Sequence, residues 1–189
     1  MANKIFAGVD EVGRGCLAGP VISCALILKR SINRKILRDS KTIPFKDRIE
    51  IAEHIKKNSW YAIGSASVNE IDKYNIFNAT LLSMERAIEK LKKKPHIFLV
   101  DGTHAPKKIK NSKTVIKGDK KIKCISAASI VAKAYRDLYM IKLGNKFPQY
   151  KWHKNFGYGT WQHLGALKKF GVTDYHRKSY RPVHNILSK

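Results

Sequence analysis

Carboxylates stand at the ends of two apolar runs of the sequence. Residues 5–9 are followed by Asp10 and Glu11, and residues 97–100 are followed by Asp101. In open α/β sheets, sites form beyond the carboxyl ends of the strands, so these acids converge if the two strands are neighbours. Asp is also a common strand terminator and turn former without any catalytic role. The pattern alone leaves both interpretations open.

Asp10 and Glu11 pose a geometric problem, because successive residues of a strand point to opposite faces. For both side chains to face one site, we expect the strand to end or bulge at this point. Gly13 and Gly15 follow, and glycine permits such an irregular backbone. The segment Gly13-Arg14-Gly15 is interpreted as a flexible backbone that approaches a nucleic acid strand closely, with an ordinary strand-linking turn as the alternative.

The charge of the chain favours a polyanionic partner. Its 189 residues include 38 Lys and Arg against 14 Asp and Glu, a formal net charge of +24. Such an excess attracts nucleic acid, with an anionic membrane surface as the rival partner. The longest apolar stretch, residues 20–28, is too short to span a bilayer. Of the two, we expect nucleic acid as the partner and no membrane. Carboxylates are scarce in the more basic second half: Asp101, Asp119, Asp137 and Asp174.

Clustered carboxylates in a basic protein need a counter-charge, because they would otherwise repel each other and the phosphates of a bound polyanion. Mg²⁺ and Mn²⁺ resolve this conflict, since they take oxygen ligands and bridge carboxylates to substrate phosphates. Two such ions, roughly 3.5–4 Å apart, stabilise both the attacking and the leaving oxygens of a displacement at phosphorus. Acids at strand ends within a basic shell therefore indicate metal-dependent phosphodiester cleavage.

The elements that must position these acids follow from hydrophobic periodicity. Apolar and β-branched runs predict strands at residues 5–9, 21–28, 60–68, 97–100 and 114–116. Spacing of three and four predicts helices at residues 45–58, 76–93, 126–143 and 160–170, with Asn75 as an N-cap and Gly171 as a stop. This order predicts an α/β fold with a mixed central sheet flanked by helices. We expect a catalytic domain over residues 1–143 and a small helical C-terminal extension over residues 144–189.

Two further features have a functional and a structural interpretation. Small hydroxyls and cations fall on one arc of the helix predicted at 126–143: Ser126, Ser129, Lys133 and Arg136. This arc suits phosphate contacts, or it is a solvated face on which Asp137 pairs with Lys133. Tyr158, between two glycines, suits stacking on a sugar or base, or it is a core tyrosine.

The sequence resembles the ribonuclease HII family, the bacterial type 2 ribonucleases H. Residues 8–21, GVDEVGRGCLAGPV, look like the opening signature of this family. Further matching segments follow in order: residues 39–41 (DSK), 100–102 (VDG), 117–119 (KGD), 127–133 (AASIVAK), 157–160 (GYGT) and 176–177 (HR). The resemblance covers nearly the whole chain. Tyr180 departs from it, since phenylalanine is more usual at this position.

The resemblance implies a ribonuclease H-like fold with a helical C-terminal extension. It implies an endoribonuclease that cleaves the RNA strand of RNA/DNA hybrids and nicks 5′ of single ribonucleotides in duplex DNA. The products would carry 5′-phosphate and 3′-hydroxyl ends. The family's catalytic and metal-binding carboxylates correspond to Asp10, Glu11, Asp101 and Asp119, with Mn²⁺ or Mg²⁺ as cofactor. Spacing alone does not choose between Asp119 and Asp137.

The resemblance also implies the substrate contacts. Gly13, Arg14, Gly15 and Tyr158 would read the junction between a ribonucleotide and the following deoxyribonucleotide, where the 2′-hydroxyl distinguishes RNA from DNA. The expected contacts to phosphate are Ser40, Lys41, Ser129 and Lys133.

Two other function classes remain as alternatives: a DNA-acting nuclease or recombinase of the same fold, and a non-enzymatic basic RNA-binding protein. The three cysteines have no metal-binding spacing, and the first residues have no secretory pattern, so we expect a cytoplasmic protein. We expect a monomer. The tail at residues 186–189 has no clear motif for binding a replication clamp.

Overall fold

The protein forms a five-stranded mixed sheet with helices on both faces. The computed structural model describes residues 4–29 and 31–188. The strands are β1 (Phe6–Val12), β2 (Val21–Leu28), β3 (Ser59–Ala66), β4 (Ile97–Asp101) and β5 (Ser112–Val115). The helices are α1 (Phe45–Lys57), α2 (Val68–Lys90), α3 (Gly118–Lys121), α4 (Lys123–Lys146), α5 (Trp152–Asn155), α6 (Trp161–Phe170) and α7 (Arg181–Leu187).

The strand order of the sheet is β3-β2-β1-β4-β5. β1 pairs antiparallel with β2 and parallel with β4, and β4 pairs parallel with β5. The parallel pairing of β1 with β4 places their carboxyl ends at the same edge of the sheet. The two strands that carry acids at their ends are therefore neighbours, as the functional interpretation of the sequence requires.

Helix α4 packs directly on β1, and the contact depends on a glycine. A Cβ atom added at Gly8 would lie 2.2–2.3 Å from backbone atoms of Cys124 and Ile125. Residues 124–132 of α4 are all buried, as in a helix covered on every side. The first turns of α4 are therefore held against the strand that carries Asp10.

The element boundaries differ from the predictions where side chains cap helices. Val68 was predicted to end β3, but it begins α2, because Ser67 and Glu70 form a capping box at the start of this helix. Asn75 interrupts α2 with φ of 65°, and its Oδ1 accepts a hydrogen bond from the N–H of Asn78. The predicted N-cap is therefore correct, and it lies at a kink within a longer helix.

The C-terminal segment shares a core with the loop that follows β1. Tyr150, Trp152 and Val183 are buried in one cluster with Leu17 and Met140. Backbone bridges join this loop to the C-terminal segment in two places. The division of the chain at residue 143 remains a prediction, and α4 continues through it to Lys146.

Two buried histidines lie in the same cluster. The Nε2 atoms of His163 and His176 are 3.1 Å apart, and Trp152 donates a hydrogen bond from its Nε1 to His163. Burial lowers the pKa of both imidazoles, and it lowers that of His176 to about 3. His163 is therefore structural. Among the helices of residues 4–29 and 31–188, none is long and apolar enough to cross a membrane.

Candidate active site

The carboxyl end of β1 extends beyond its neighbour β4. The pairing of β1 with β4 stops at Val9 and Val100, whereas the pairing with β2 continues regularly to Val12. The expectation that β1 ends or bulges at Asp10 and Glu11 was therefore wrong. Instead, β4 stops and leaves one edge of β1 open, so that side chains from both faces of β1 can reach the same space.

The four predicted carboxylates line one cavity of about 380 Å³ at this edge of the sheet. The other residues around it are Val12, Ser40, Lys41, Arg48, Ser129, Lys133 and Tyr158. All the predicted phosphate contacts are therefore brought to the same cavity as Asp10, Glu11, Asp101 and Asp119. Gly13, Arg14 and Gly15 do not line it, and Arg14 lines an adjacent cavity together with Glu11 and Asp101.

Burial and mutual repulsion disfavour the charged carboxylates at this site. Asp10 is buried, and its pKa is raised well above the usual value, mainly by desolvation and then by the charge of Glu11. Burial also raises the pKa of Glu11, although Arg14 Nη1, which is 3.3 Å from Glu11 Oε1, opposes the shift. Asp101 adds to both shifts. A cation bound among these carboxylates would relieve this repulsion.

Asp101, at the end of β4, contacts the first residue of the short helix α3, which carries Asp119. Asp101 Oδ1 accepts a hydrogen bond of 2.6 Å from the N–H of Gly118. Gly118 allows this approach, because a Cβ atom there would lie 2.5 Å from Ile125 Cδ1 and 3.2 Å from Asp101 Oδ1. Asp119 follows in the first turn of α3. The end of β4 thus fixes the position of the helix that carries the fourth carboxylate.

Asp137 has a different role, although spacing alone could not separate it from Asp119. Its carboxylate is fully buried between Arg48 Nη2, at 2.9 Å from Oδ2, and Lys133 Nζ, at 2.7 Å from Oδ1. Both of these cations line the cavity. Asp137 therefore holds Arg48 and Lys133 in place from behind the cavity wall.

The oxygen donors of the four carboxylates fit a hard divalent cation in type. Within residues 4–29 and 31–188, no three His, Cys, Asp or Glu side chains are grouped closely enough to form a complete metal site. The carboxylates therefore surround the cavity without forming a closed ligand shell.

One wall of the cavity presents hydroxyls, a cation and an aromatic ring. The Oγ atoms of Ser40 and Ser129 are 3.1 Å apart, and Lys133 Nζ is 6.0 Å from the ring centroid of Tyr158. Tyr158 is 39% exposed, so the interpretation as a core tyrosine was wrong. Burial lowers the pKa of Lys133. The pairing of Asp137 with Lys133 is confirmed, but on a buried face of α4 rather than on a solvated one.

The predicted arc of α4 divides between two tasks. Ser129 and Lys133 line the cavity, whereas Ser126 donates a hydrogen bond to the Arg38 carbonyl. Arg136 is fully buried and donates to the carbonyls of Ala18, Pro20 and Phe156. Ser126 and Arg136 therefore do not contact the cavity, and Arg136 supports the loop after β1.

Arg177 supports the Gly13-Arg14-Gly15 segment from the other side. Its fully buried guanidinium donates to the carbonyls of Gly13 (2.6 Å), Arg14 (2.8 Å) and Gly19 (2.8 Å). The hydroxyl of Tyr180, the position that departs from the usual phenylalanine, also donates to the Arg14 carbonyl. Sequence reasoning missed the structural roles of Arg48 and Arg177. A lone arginine among apolar residues of an amphipathic helix was the available signal for Arg48.

Solved structures identify the class of the fold. The structure is similar to the ribonuclease H2 of Pyrococcus horikoshii OT3, with a TM-score of 0.82 and 23% identity over 97% of both chains. It is also similar to a Bst ribonuclease HIII solved in complex with Mn²⁺, with a TM-score of 0.71 and 14% identity over 98% of this chain and 70% of that chain. The architecture is therefore the ribonuclease H-like fold, and the fold prediction is confirmed.

Sequence comparisons identify the family. A family model described as Ribonuclease HII matches residues 7–183. The ribonuclease HII of Pelagibacter ubique is 55% identical over 186 residues, which cover 97% of this chain and 100% of that protein. The chain belongs to the ribonuclease HII family and is an enzyme with ribonuclease H activity.

Proposed function

We propose that the protein is an endoribonuclease that hydrolyses the RNA strand of RNA/DNA hybrids and nicks 5′ of single ribonucleotides in duplex DNA. The products carry 5′-phosphate and 3′-hydroxyl ends. One observation carries the proposal: Asp10, Glu11, Asp101 and Asp119 line one cavity whose wall includes Lys41 and Lys133. Acids are the minority charge of this chain, and their convergence within a basic wall is what metal-dependent phosphodiester hydrolysis requires.

In the proposed mechanism, Asp10 and Asp101 are the central carboxylates, and Glu11 and Asp119 complete the site for two Mn²⁺ or Mg²⁺ ions. Bound divalent ions supply Lewis-acid stabilisation of the attacking and leaving oxygens. Asp10 Oδ1 accepts a hydrogen bond from the Glu11 N–H at 2.7 Å, which limits rotation of this carboxylate. Asp101 is oriented in the same way by Gly118. These two carboxylates are thus held by backbone groups before substrate binds.

We assign the phosphate contacts to Ser40, Lys41, Ser129 and Lys133. The Lys133 ammonium is fixed by Asp137, so it presents its charge without losing side-chain entropy at the moment of binding. The assignment rests on the place of these four residues in the cavity wall.

We assign recognition of the 2′-hydroxyl to the Gly13-Arg14-Gly15 segment, with Tyr158 beside the next sugar. Arg177 binds the carbonyls of Gly13 and Arg14 from the protein side. A Cβ atom added at Gly15 would meet no atom of the described residues within 4 Å. Internal packing therefore does not require glycine at this position, whereas close approach of a substrate strand does.

A cleavage assay on defined duplexes tests the proposal. We expect Asp10→Asn to abolish metal-dependent nicking of a duplex with one ribonucleotide, while binding of the hybrid persists. Asp174→Asn, a change at an exposed acid outside the cavity, is the matched control and should cleave normally. Unchanged turnover in Asp10→Asn would refute the metal-site assignment.

The same assay tests the proposed substrate. Cleavage of an all-DNA duplex as fast as of the ribonucleotide-containing duplex would indicate a DNA-acting nuclease. Membership of the ribonuclease HII family already excludes the other alternative, a non-enzymatic RNA-binding protein. We also propose a cytoplasmic location, a monomeric state and a domain division at residue 143. Sedimentation of the purified protein tests the monomeric state.

A further inference from the structure

A large groove lies away from the carboxylates, at the amino end of β1. Its volume is about 780 Å³, within the usual range of roughly 300–1,000 Å³ for binding pockets. The apolar lining includes Phe6, Ile27, Leu28, Leu99 and Ile122. We call it the basic-rimmed groove.

The groove exists because helix α4 covers only part of the sheet. α4 begins at Lys123 and contacts β1 at Gly8. Phe6, two residues earlier in β1, lies on the same face as Gly8 but remains 41% exposed. An exposed aromatic ring beside a concave apolar floor is a feature of binding surfaces.

The rim of the groove is entirely cationic. Its charged residues are Lys4, Lys29, Arg34, Lys93, Lys121 and Lys123, and no Asp or Glu is among the described residues that line it. Lys29 Nζ lies 4.8 Å and Lys93 Nζ lies 5.9 Å from the ring centroid of Trp60, which is 42% exposed. These cation–π contacts concentrate two ammonium groups at one side of the apolar floor.

The groove is separate from the proposed active site. Phe6 and Asp10 are four residues apart on one strand, a distance of about 13 Å at the usual rise. A ligand in the groove therefore does not have to displace substrate from the carboxylates.

We infer that the basic-rimmed groove binds an acidic peptide segment of a partner protein, with apolar side chains on the floor and carboxylates on the rim. Four of the apolar lining residues, Ile27, Leu28, Leu99 and Ile122, are aliphatic, and apolar peptide side chains fill such concave sites. A nucleic acid strand instead stacks successive bases on a series of aromatic rings, whereas the described lining of this groove holds two, Phe6 and Trp60, among mostly aliphatic and cationic side chains. The rim of one charge sign complements an acidic segment.

The probe for this inference is a fluorescein-labelled peptide of 12 residues, with Leu and Phe as apolar anchors and Asp and Glu at the other positions. Fluorescence anisotropy of the peptide with the full chain should show saturable binding that weakens as NaCl is raised, because the rim contacts are exposed. The same peptide with Lys at every acidic position should not bind.

Charge-reversal variants locate the binding. We expect the double variant Lys29→Glu/Lys93→Glu to bind the acidic peptide at least tenfold more weakly. The matched control is Lys168→Glu/Lys169→Glu, which makes the same charge change in the last turn of α6 and should bind within threefold of the unmodified protein. Trp60→Ala tests the apolar part of the groove without a change of charge and should also weaken binding.

Several results would overturn the inference. One is the absence of saturable peptide binding, and another is an equal loss in the two double variants, which would indicate general charge attraction. A 12-nucleotide single-stranded DNA that binds more tightly than the peptide and loses more affinity in Lys29→Glu/Lys93→Glu would assign the groove to nucleic acid. Cleavage of a ribonucleotide-containing duplex, measured in parallel, reports separately on the proposed enzymatic function.

Discussion

Replacing Arg177 tests whether the C-terminal segment positions the Gly13-Arg14-Gly15 loop. Arg177 is fully buried, and its guanidinium binds three carbonyls of the segment from Gly13 to Gly19. Arg177→Met keeps much of the side-chain volume and removes every donor. Arg177→Lys keeps the charge, but a single ammonium cannot reproduce the planar set of guanidinium donors.

The expected loss of stability follows from the carbonyls left without a donor. The carbonyls of Gly13 and Gly19 belong to buried residues. Arg14 is exposed, and its carbonyl keeps the hydrogen bond from the Tyr180 hydroxyl. An unsatisfied buried acceptor costs about 1–3 kcal/mol, so two of them cost about 2–6 kcal/mol. Burying the guanidinium itself is unfavourable, as the lowered pKa of Arg177 indicates. We therefore expect Arg177→Met to lose about 2–4 kcal/mol, the lower part of this range.

Urea denaturation measures this loss, and cleavage kinetics separate positioning from folding. In Arg177→Lys, under conditions where the protein is fully folded, we expect cleavage at single embedded ribonucleotides to fall more than cleavage of long hybrids. Lys178→Met, at the adjacent exposed side chain, is the control and should stay within about 0.5 kcal/mol of the unmodified protein. Unchanged stability in Arg177→Met, or an equal loss on both substrates in Arg177→Lys, would refute the positioning role.

Three further predictions concern other parts of the molecule. Tyr158→Ala should lower cleavage at single embedded ribonucleotides by about 5- to 150-fold, since a stacking contact is worth about 1–3 kcal/mol. The loss on all-RNA hybrids should be smaller, and equal losses would contradict junction reading. Gly8→Ala should lower the free energy of unfolding, measured by urea denaturation, by more than about 3 kcal/mol, because the added methyl group would overlap the backbone of Cys124. The control is Gly165→Ala, whose added methyl group meets no atom within 4 Å and should not destabilise the protein. The free energy of unfolding should fall as the pH decreases from about 6.5 towards 3, because His176 stays neutral in the folded protein while its imidazole becomes protonated in the unfolded chain. A His176→Gln variant with the same pH dependence would contradict this assignment.

Local patterns predicted most of the elements, because hydrophobic periodicity and capping residues act within a few positions of the chain. The helix cap at Asn75 and the strand β2 at Val21–Leu28 are correct for this reason. Val68 was misassigned because the capping box of Ser67 and Glu70 outweighs the β-branched character of this residue. The pattern showed the apolar character of Val68 but not the competing backbone hydrogen bonds.

Local patterns suggested some of the candidate-site residues but not others. Asp10, Glu11 and Asp101 became candidates through their places after apolar runs, where a turn-forming role stayed an open alternative, whereas Asp119 came from the family resemblance alone. The bulge expected at Asp10 is absent, because strand pairing, which no local pattern reports, leaves the β1 edge open. Arg177 lies 164 positions from Gly13, and only the packed structure brings the two together.

By itself, the sequence determined the types of the elements, the family and the acids available for chemistry, since these depend on residue identity and short spacing. The tertiary structure decided which acids meet. It placed Asp119 at the cavity and buried Asp137 against Arg48 and Lys133, although both aspartates carry the same side chain. The physical reason is that the role of a carboxylate depends on the charges and the solvent around it. Those surroundings are assembled from segments far apart in the chain.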